Sequence, residues 1–426
     1  MLKDMIKRDI ADSNGYLAFI QENSAFRRLW TGWTVSSLGD SFNQAAVVFL
    51  ILTLTGGEGL KTGLAIGLRL SSRLIFAGLG GVIADRLDRR LFLISLDLSL
   101  AAAALLFVFA GSTGSLPALY ALTVLMGALS AAHASARIVY LQDVAGTARF
   151  DRALALMQIG FGMAVFLGNG LGGAMIAVVG CQVVFILDAL SFLFSTFCTW
   201  TAAPAQAAAA VKAGRSSLRQ DWLAGISHLR SQPVLLRMVL TNAIWSLGGG
   251  GVFVIVSLLC YQRFDNDPVV LGLFFAMTGA GALAAAAVRP VLGRGFQQDA
   301  LIIGWACVAE GLLFVLLPHV SSLPLSLVLF AAQLAAAFLF GLAYQPLLLR
   351  EAAPAMRGRI SGLDGGIYLS LYGLAAAVHG ALAAAWGLKA AAALAGGIMA
   401  AAGLFWLLFL HRRNGSSATT QLCSGK

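Results

Sequence analysis

The chain has 426 residues, 59% of them apolar and only 11% charged, with a mean hydropathy of +0.84 and a formal charge of +10. A soluble domain averages about 45–50% apolar and about 25% charged residues, so an ordinary soluble enzyme or binding module is excluded. The Lys and Arg sit in short segments between apolar runs, a pattern of membrane orientation rather than of nucleic-acid binding.

A helix needs about 20 largely apolar residues to cross a bilayer. Such runs recur along the whole chain, and their unbroken character selects helices over a closed barrel. Residues 1–28 are polar and lack the apolar core of a cleavable signal, so they read as a cytoplasmic arm. Twelve spans follow, at 29–54, 62–84, 91–111, 116–137, 153–178, 182–201, 236–260, 268–289, 300–317, 324–348, 362–385 and 390–410. Glycine interrupts the seventh. Residues 202–235 separate one six-span half (29–201) from another (236–410), and 411–426 form a cytoplasmic tail. Within that linker "LRQDWLAGISHLR" suits either a surface helix or a solvated tether. The arm, the linker, the tail and alternate loops hold most of the Lys and Arg, whereas the opposite loops hold Lys61, Arg263 and Lys389. Both termini are therefore expected in the cytoplasm. The five Cys form no CxxC, and a disulfide between Cys181 and Cys260, near the outer ends, is the less favoured option.

The halves echo each other. "SSLGDSF" at 36–42 faces "WSLGGGG" at 245–251, and "TGLAIGL" at 62–68 faces "LGLFFAM" at 271–277, both 209 residues apart. The same register lays "GVIADRLDRR" (81–90) over "PVLGRGFQQD" (290–299), and a slip of one then matches Asp143 to Glu351 and Arg149 to Arg357. The expected fold is an all-α membrane protein of twelve transmembrane helices in two pseudo-symmetric six-helix bundles. Such repeats suit a transporter that rocks about a midplane site.

Between the second and third spans "GGVIADRLDRR" packs Asp85, Arg86, Asp88, Arg89 and Arg90 into six residues. Positive-inside bias accounts for the three Arg but not for the acids. An acid here can face a helix N-terminus or an Arg, forming a latch made in one conformation and broken in another. Gly81, Asp85, Arg86, Arg89 and Arg90 resemble the loop signature of the major facilitator superfamily, G-x-L-A-D-R-x-G-R-R/K, with Ile83 for the Leu and Asp88 for the second Gly. Both departures, with "FRRLWTGWTVSSLGDSF" (26–42) and "LREAAPAMRGRISGL" (349–363), look like its drug-efflux branch of macrolide and siderophore exporters. The resemblance implies that Asp85 meets the stretch starting near Gly362, with Asp364 or Asp143 joining, and that the loop Arg pair with nearby acids. At the matching place in the second half stands Arg294, so the latch is expected on one side only. Asp97 is about 10 Å from the knot by helical rise and is expected with Arg89, Arg90 or Arg137. In the fifth span Gly168, Gly172 and Gly173 make a smooth packing face. Asn169 stands where the branch's G-P-x-x-G-G pattern has Pro, which weakens an antiporter reading of this motif.

Ionisable groups inside a span are costly and are functional candidates by default. Asp40 lies twelve residues past Arg28, about 18 Å at the helical rise, and Glu310 lies near the middle of its span; both are candidates for carrying a proton. Arg69 and Arg73, four apart on one face, are candidates for an anionic cargo, for coupling, or for a permanent pair with Asp40. His133 is a further candidate, with simple hydrogen bonding as the plain alternative. Trp33, Phe42, Phe49, Trp245, Phe253, Tyr344, Tyr368 and Tyr372 can wall a cavity or fill the core.

With the resemblance, these residues imply a bacterial inner-membrane exporter. It is expected to work as a monomer, driven by protons, on a small amphipathic molecule such as a macrolide or a siderophore, with no cofactor and no metal. Nothing names an outer-membrane partner. An importer of an organic solute or lipid would share the scaffold. A membrane enzyme is disfavoured, because none of the five His has an Asp four or five positions later, and no G-x-x-x-x-G-K-[ST] signals an ATP site.

Overall fold

The computed structural model describes residues 18–84, 87–146, 149–202, 218–293 and 295–423. Each of the expected spans carries a helix. In chain order these are α1 (Ser24–Thr55), α2 (Gly59–Ala84), α3 (Arg89–Thr113) and α4 (Leu116–Ala145). Residues Phe150–Thr201 run on without a break in helical hydrogen bonding but turn at Gly180, whose φ of 77° is left-handed. Only glycine adopts that region without strain, so the segment is two spans, α5 (150–179) and α6 (181–201). The linker segment forms α7 (Leu218–Ser231). Then come α8 (Pro233–Gly249), α9 (Val252–Arg263), α10 (Pro268–Val288), α11 (Phe296–Leu316), α12 (Leu323–Glu351), α13 (Arg357–Trp386) and α14 (Leu388–Cys423). Among the described residues ten helices, counting 150–201 and 233–263 once each, are long and apolar enough to cross a membrane. Their outer faces stay apolar: Phe109 is 70% exposed and Leu283 67%. Such a surface suits lipid and would aggregate in water.

The helices sort into two compact units: Met1–Leu50 with Ser72–Lys212, and Ile51–Ser71 with Ala213–Lys426. In the first unit α1 lies against α5 and α6. Trp30 Nε1 donates to the Leu156 carbonyl at 2.8 Å, and Gly32 and Gly39 give room to Cys198 and to Asp188 with Ser191. Helix α3 packs on α6 through Phe107 and Phe185, stacked at 5.3 Å. Its start is set by Asp88, whose carboxylate accepts the Leu91 N–H at 2.9 Å. One acid of the charge knot is therefore a helix cap, a role worth about 1 kcal/mol.

In the second unit α11 packs along α14, where Trp406 Nε1 donates to the Ala300 carbonyl. Helix α7 is held by Leu229, which is buried in a core with Leu235, Tyr344 and Leu363, so the linker carries a docked helix rather than a bare tether. Helices α8 and α9 form one span that tightens at Gly250 and Gly251, both in right-handed helical conformation. There the Gly251 N–H takes the Gly248 carbonyl in a tighter turn. Cys181, Cys198, Cys260 and Cys307 are free thiols, so the Cys181–Cys260 disulfide is not formed.

The two units hold the ends of equivalent helices with charges of opposite polarity. In the first unit Arg89, at the start of α3, pairs with both oxygens of Asp143 near the end of α4, at 2.7 and 2.9 Å. In the second unit the acid is Asp299 in the first turn of α11. It pairs with Arg289 at the end of α10 and with Arg350 in the last turn of α12.

Candidate functional site

Charged side chains in the first unit gather where α1, α3, α4 and α6 meet. Asp97 is fully buried, and its Oδ2 accepts from Ser195 Oγ at 3.0 Å. Its Oδ1 stands 3.0 Å from His133 Nε2. Of the arginines expected beside Asp97, Arg137 lies within its electrostatic reach, and each of the three also makes a further contact. Arg137 lies over the Trp33 ring at 4.0 Å, Arg89 is on Asp143, and Arg90 reaches the Thr199 carbonyl at the end of α6. The reason is direction: a histidine one turn before Arg137 on α4 meets Asp97, while the longer Arg137 stretches past it to a ring. Asp40 and Arg73 are half-buried and Arg69 is buried, each engaged by a neighbour. Asp85 and Arg86 lie outside the described residues, and Gly81 lies in α2.

The expected smooth face of α5 is used unequally. A Cβ on Gly168 would come within 2.6 Å of Ser41 Cβ and 3.1 Å of the Leu38 carbonyl, both on α1. On Gly172 it would meet Phe42 and Ala45 at 3.4–3.6 Å, ordinary contact. Asn169 is buried and engaged. Gly168→Ala is expected to cost about 1–3 kcal/mol by overpacking. Gly172→Ala is expected to be neutral or to gain up to about 1 kcal/mol of helix propensity. Thermal unfolding of the two variants in detergent checks the contrast.

The second unit holds the other cluster. Helix α11 begins at Phe296, four residues before the expected span start, and Glu310 lies fourteen residues, about 21 Å, from that end of the span Phe296–His319. It is 1% exposed. Both its oxygens accept bonds from neutral donors: Trp245 Nε1 on α8 at 2.7 Å and Gln333 Nε2 on α12 at 3.0 Å. Asp364 is 1% exposed inside this unit, while Asp85, which it was expected to join in the cytoplasmic latch, lies outside the described residues. Its Oδ1 accepts from Tyr344 Oη at 2.6 Å and Asn242 Nδ2 at 3.0 Å. Rings join the two acids. Trp245 stacks on Phe340 at 5.3 Å, and Phe340 on Tyr344 at 5.1 Å. Tyr368 and Tyr372 of α13 close on Trp245 at 6.0 and 6.2 Å. Gly249, beside the tightened turn between α8 and α9, leaves space that a Cβ would take from Tyr372 and Trp245.

Comparison with known proteins places this arrangement. The family model of the Major Facilitator Superfamily matches residues 29–370. The chain belongs to that superfamily. Its relatives include the Uncharacterized MFS-type transporter YkuC of Bacillus subtilis, 24% identical over 365 residues, covering 81% of this chain and 82% of that one. They also include the multidrug efflux pump Tap of Mycolicibacterium fortuitum, 27% identical over 334 residues, 74% of this chain and 79% of that one. The fold matches that of a bacterial homologue of the iron transporter ferroportin in its inward-facing state, with a TM-score of 0.72 at 14% identity, over 90% of this chain and 98% of that one. The molecule is thus a multi-pass membrane transporter with the major facilitator fold.

The Glu310 cluster lies against α8 just before the tightened turn at Gly250 and Gly251, where the backbone stays helical. Sequence reading singled out Glu310, Asp364, Trp245, Tyr344, Tyr368 and Tyr372 one by one but missed Asn242, Gln333 and Phe340. The available signal was the two carboxamides: Asn and Gln inside a span are unusual enough to be paired with an acid.

Proposed function

We propose that this chain is a proton-coupled exporter of small amphipathic molecules in the bacterial inner membrane, with both termini cytoplasmic. The observation that carries it is Glu310, a carboxyl inside a span whose hydrogen-bond partners are all neutral. A bare charge there is expensive. Taking up a proton removes the charge, and losing it restores the demand for a positive partner. That alternation is what couples a proton to a cargo. The similarity to Tap supports export.

The remaining groups divide the work. The Asp97–His133–Ser195 set ties α3, α4 and α6 into a rigid body and offers a second proton site at His133. Asp40, Arg69 and Arg73 sit on α1 and α2 as further coupling or cargo contacts. The loop of Gly81, Asp85, Arg86, Arg89 and Arg90 acts as the cytoplasmic latch, with Arg137 beside the Asp97 set. Alternating access between the two faces of the membrane carries the cargo out, and the six-span halves 29–201 and 236–410 are the moving parts.

Inverted membrane vesicles given an acidic lumen test direction. Accumulation of at least one of a macrolide, a catecholate siderophore or ethidium is expected, with collapse on dissipating the gradient. Gradient-driven uptake of these compounds by intact cells, with none by the vesicles, would contradict export.

A further inference from the structure

Two buried acids and five rings make the Trp245 cluster a place for a positive charge. We infer that the cargo is an amphipathic organic cation, an amine or quaternary ammonium. It is held on the open side of Trp245 and Tyr368, with Glu310 and Asp364 as counter-charges. The inference rests on reading the chain as a small-molecule carrier and is independent of direction and of proton coupling.

The first ground is charge balance. A buried carboxylate needs a cation or a proton. The partners of these two acids are an indole N–H, two carboxamide NH2 groups and a phenol, none of them basic. Each acid is therefore balanced either by a proton or by a cation that arrives from outside, and the two compete for one place. The second ground is the type of group left unbonded. Gln333 Oε1 and Asp364 Oδ2 are buried without a partner, in side chains 1% exposed. Both are acceptors, so the missing group is a donor or a positive charge.

The third ground is the state of the rings. Trp245 and Tyr344, at the two ends of the Trp245–Phe340–Tyr344 stack, donate their only polar hydrogens to the acids. Such a bond pushes electron density back into the ring and strengthens its pull on a cation above its face. The partners of the two acids on α8, Asn242 and Trp245, are three residues apart, about one helical turn. Trp245 and Tyr368 are half-buried, so an edge of the cluster remains open. Elsewhere the chain fills such a ring face from within: Arg137 covers Trp33 and Arg237 covers Phe409, at 4.0 and 4.2 Å. Trp245 has rings as its neighbours. Aromatic faces suit an organic cation better than a metal ion, and among the described residues no group of three His, Cys, Asp or Glu is placed to hold a metal. An anionic cargo would meet two acids and be repelled.

The test is equilibrium binding of tritiated tetraphenylphosphonium to the purified full-length protein in detergent, with no gradient present. Saturable binding is expected, with triphenylphosphine oxide, a neutral relative, competing at least about tenfold less well. Trp245→Leu and Glu310→Gln should each weaken binding about tenfold or more, and Trp245→Phe, which keeps a ring but no N–H, should fall between. The inference is overturned by absence of saturable binding, by equal competition from the neutral relative, or by unchanged affinity in Glu310→Gln and Trp245→Phe. Those two variants decide the matter if Trp245→Leu does not fold. Cation binding without gradient-driven flux would defeat the exporter reading alone, and gradient-driven flux of uncharged compounds without cation binding would defeat this inference alone.

Discussion

Glu310→Gln is expected to abolish gradient-driven accumulation while leaving the protein folded. Glutamine has the same shape but carries no proton in exchange for a charge. The fold survives because the neighbourhood can adapt. Trp245 Nε1–H keeps an acceptor in the new side-chain carbonyl. Gln333 can turn its amide over, so that its unbonded Oε1 accepts the new NH2. The Gln333 NH2 then takes the unpartnered place that its Oε1 held, so one buried amide group stays unsatisfied as before, at a cost of about 1–3 kcal/mol rather than the loss of the fold. Exchange of labelled for unlabelled cargo across the membrane needs no proton cycle, so it should persist at raised cargo concentration. Accumulation driven by an imposed pH difference should fall to the level of protein-free vesicles. Proteoliposome assays of both reactions on the one variant check this, and equal loss of both would reduce Glu310 to a structural residue.

The second large effect concerns the Arg89–Asp143 clamp. Their side chains are 18% and 9% exposed, and Arg89→Asp would leave two acids facing each other at the helix ends. Breaking a buried pair costs about 3–5 kcal/mol, and the residual solvent here argues for the low end. The second unit carries the reversed polarity at the matching junction, with the acid in the first turn of α11 and an Arg in the last turn of α12. That order agrees with the helix dipoles, whereas the order in the first unit opposes them, and each end is worth about 0.3–1 kcal/mol. The double variant Arg89→Asp with Asp143→Arg should therefore recover the melting temperature lost by the single variant, and can exceed the native value. Transport should stay slow in the double variant, because Arg89 also belongs to the loop proposed as a latch. Thermal unfolding in detergent and transport in vesicles separate the two effects. A double variant as unstable as the single would mean that the pair is not what holds α3 to α4.

The spans were legible because lipid imposes one requirement on every one of them, a long apolar run. Their ends were less so. Helix α4 runs past 137 to Ala145, and α12 past 348 to Glu351. The extra turns carry Asp143 and Arg350 to their partners, and in α4 Tyr140, Leu141 and Val144 continue the buried core past the arginine that was read as the span's end. The clamp at Asp299 went unseen because the 209-residue register directs attention to the column of Asp85, where Arg294 stands, while the working acid is five residues on. In the site, the cost of an intramembrane charge was enough to mark Glu310, Asp97 and His133, while Asp364 came only through the resemblance of the loop. It could not name their partners. Trp245 is 65 residues from Glu310 and Asn242 is 122 from Asp364, and neutral rings and amides carry no charge signal. The case of Asp97 shows the same limit: its charge pointed to Arg137, which lies within its reach, but not to His133 and Ser195, which the helix faces of α3, α4 and α6 bring to it.

The account turns on cargo and proton moving in opposite directions through one carrier. Proteoliposomes containing a trapped pH indicator and loaded with ethidium, diluted into ethidium-free buffer of equal pH with the membrane potential clamped, measure this directly. As ethidium leaves, the lumen should acidify at a proportional rate, and the acidification should be absent in Glu310→Gln. Ethidium efflux through the wild-type protein with a constant lumen pH would contradict the account.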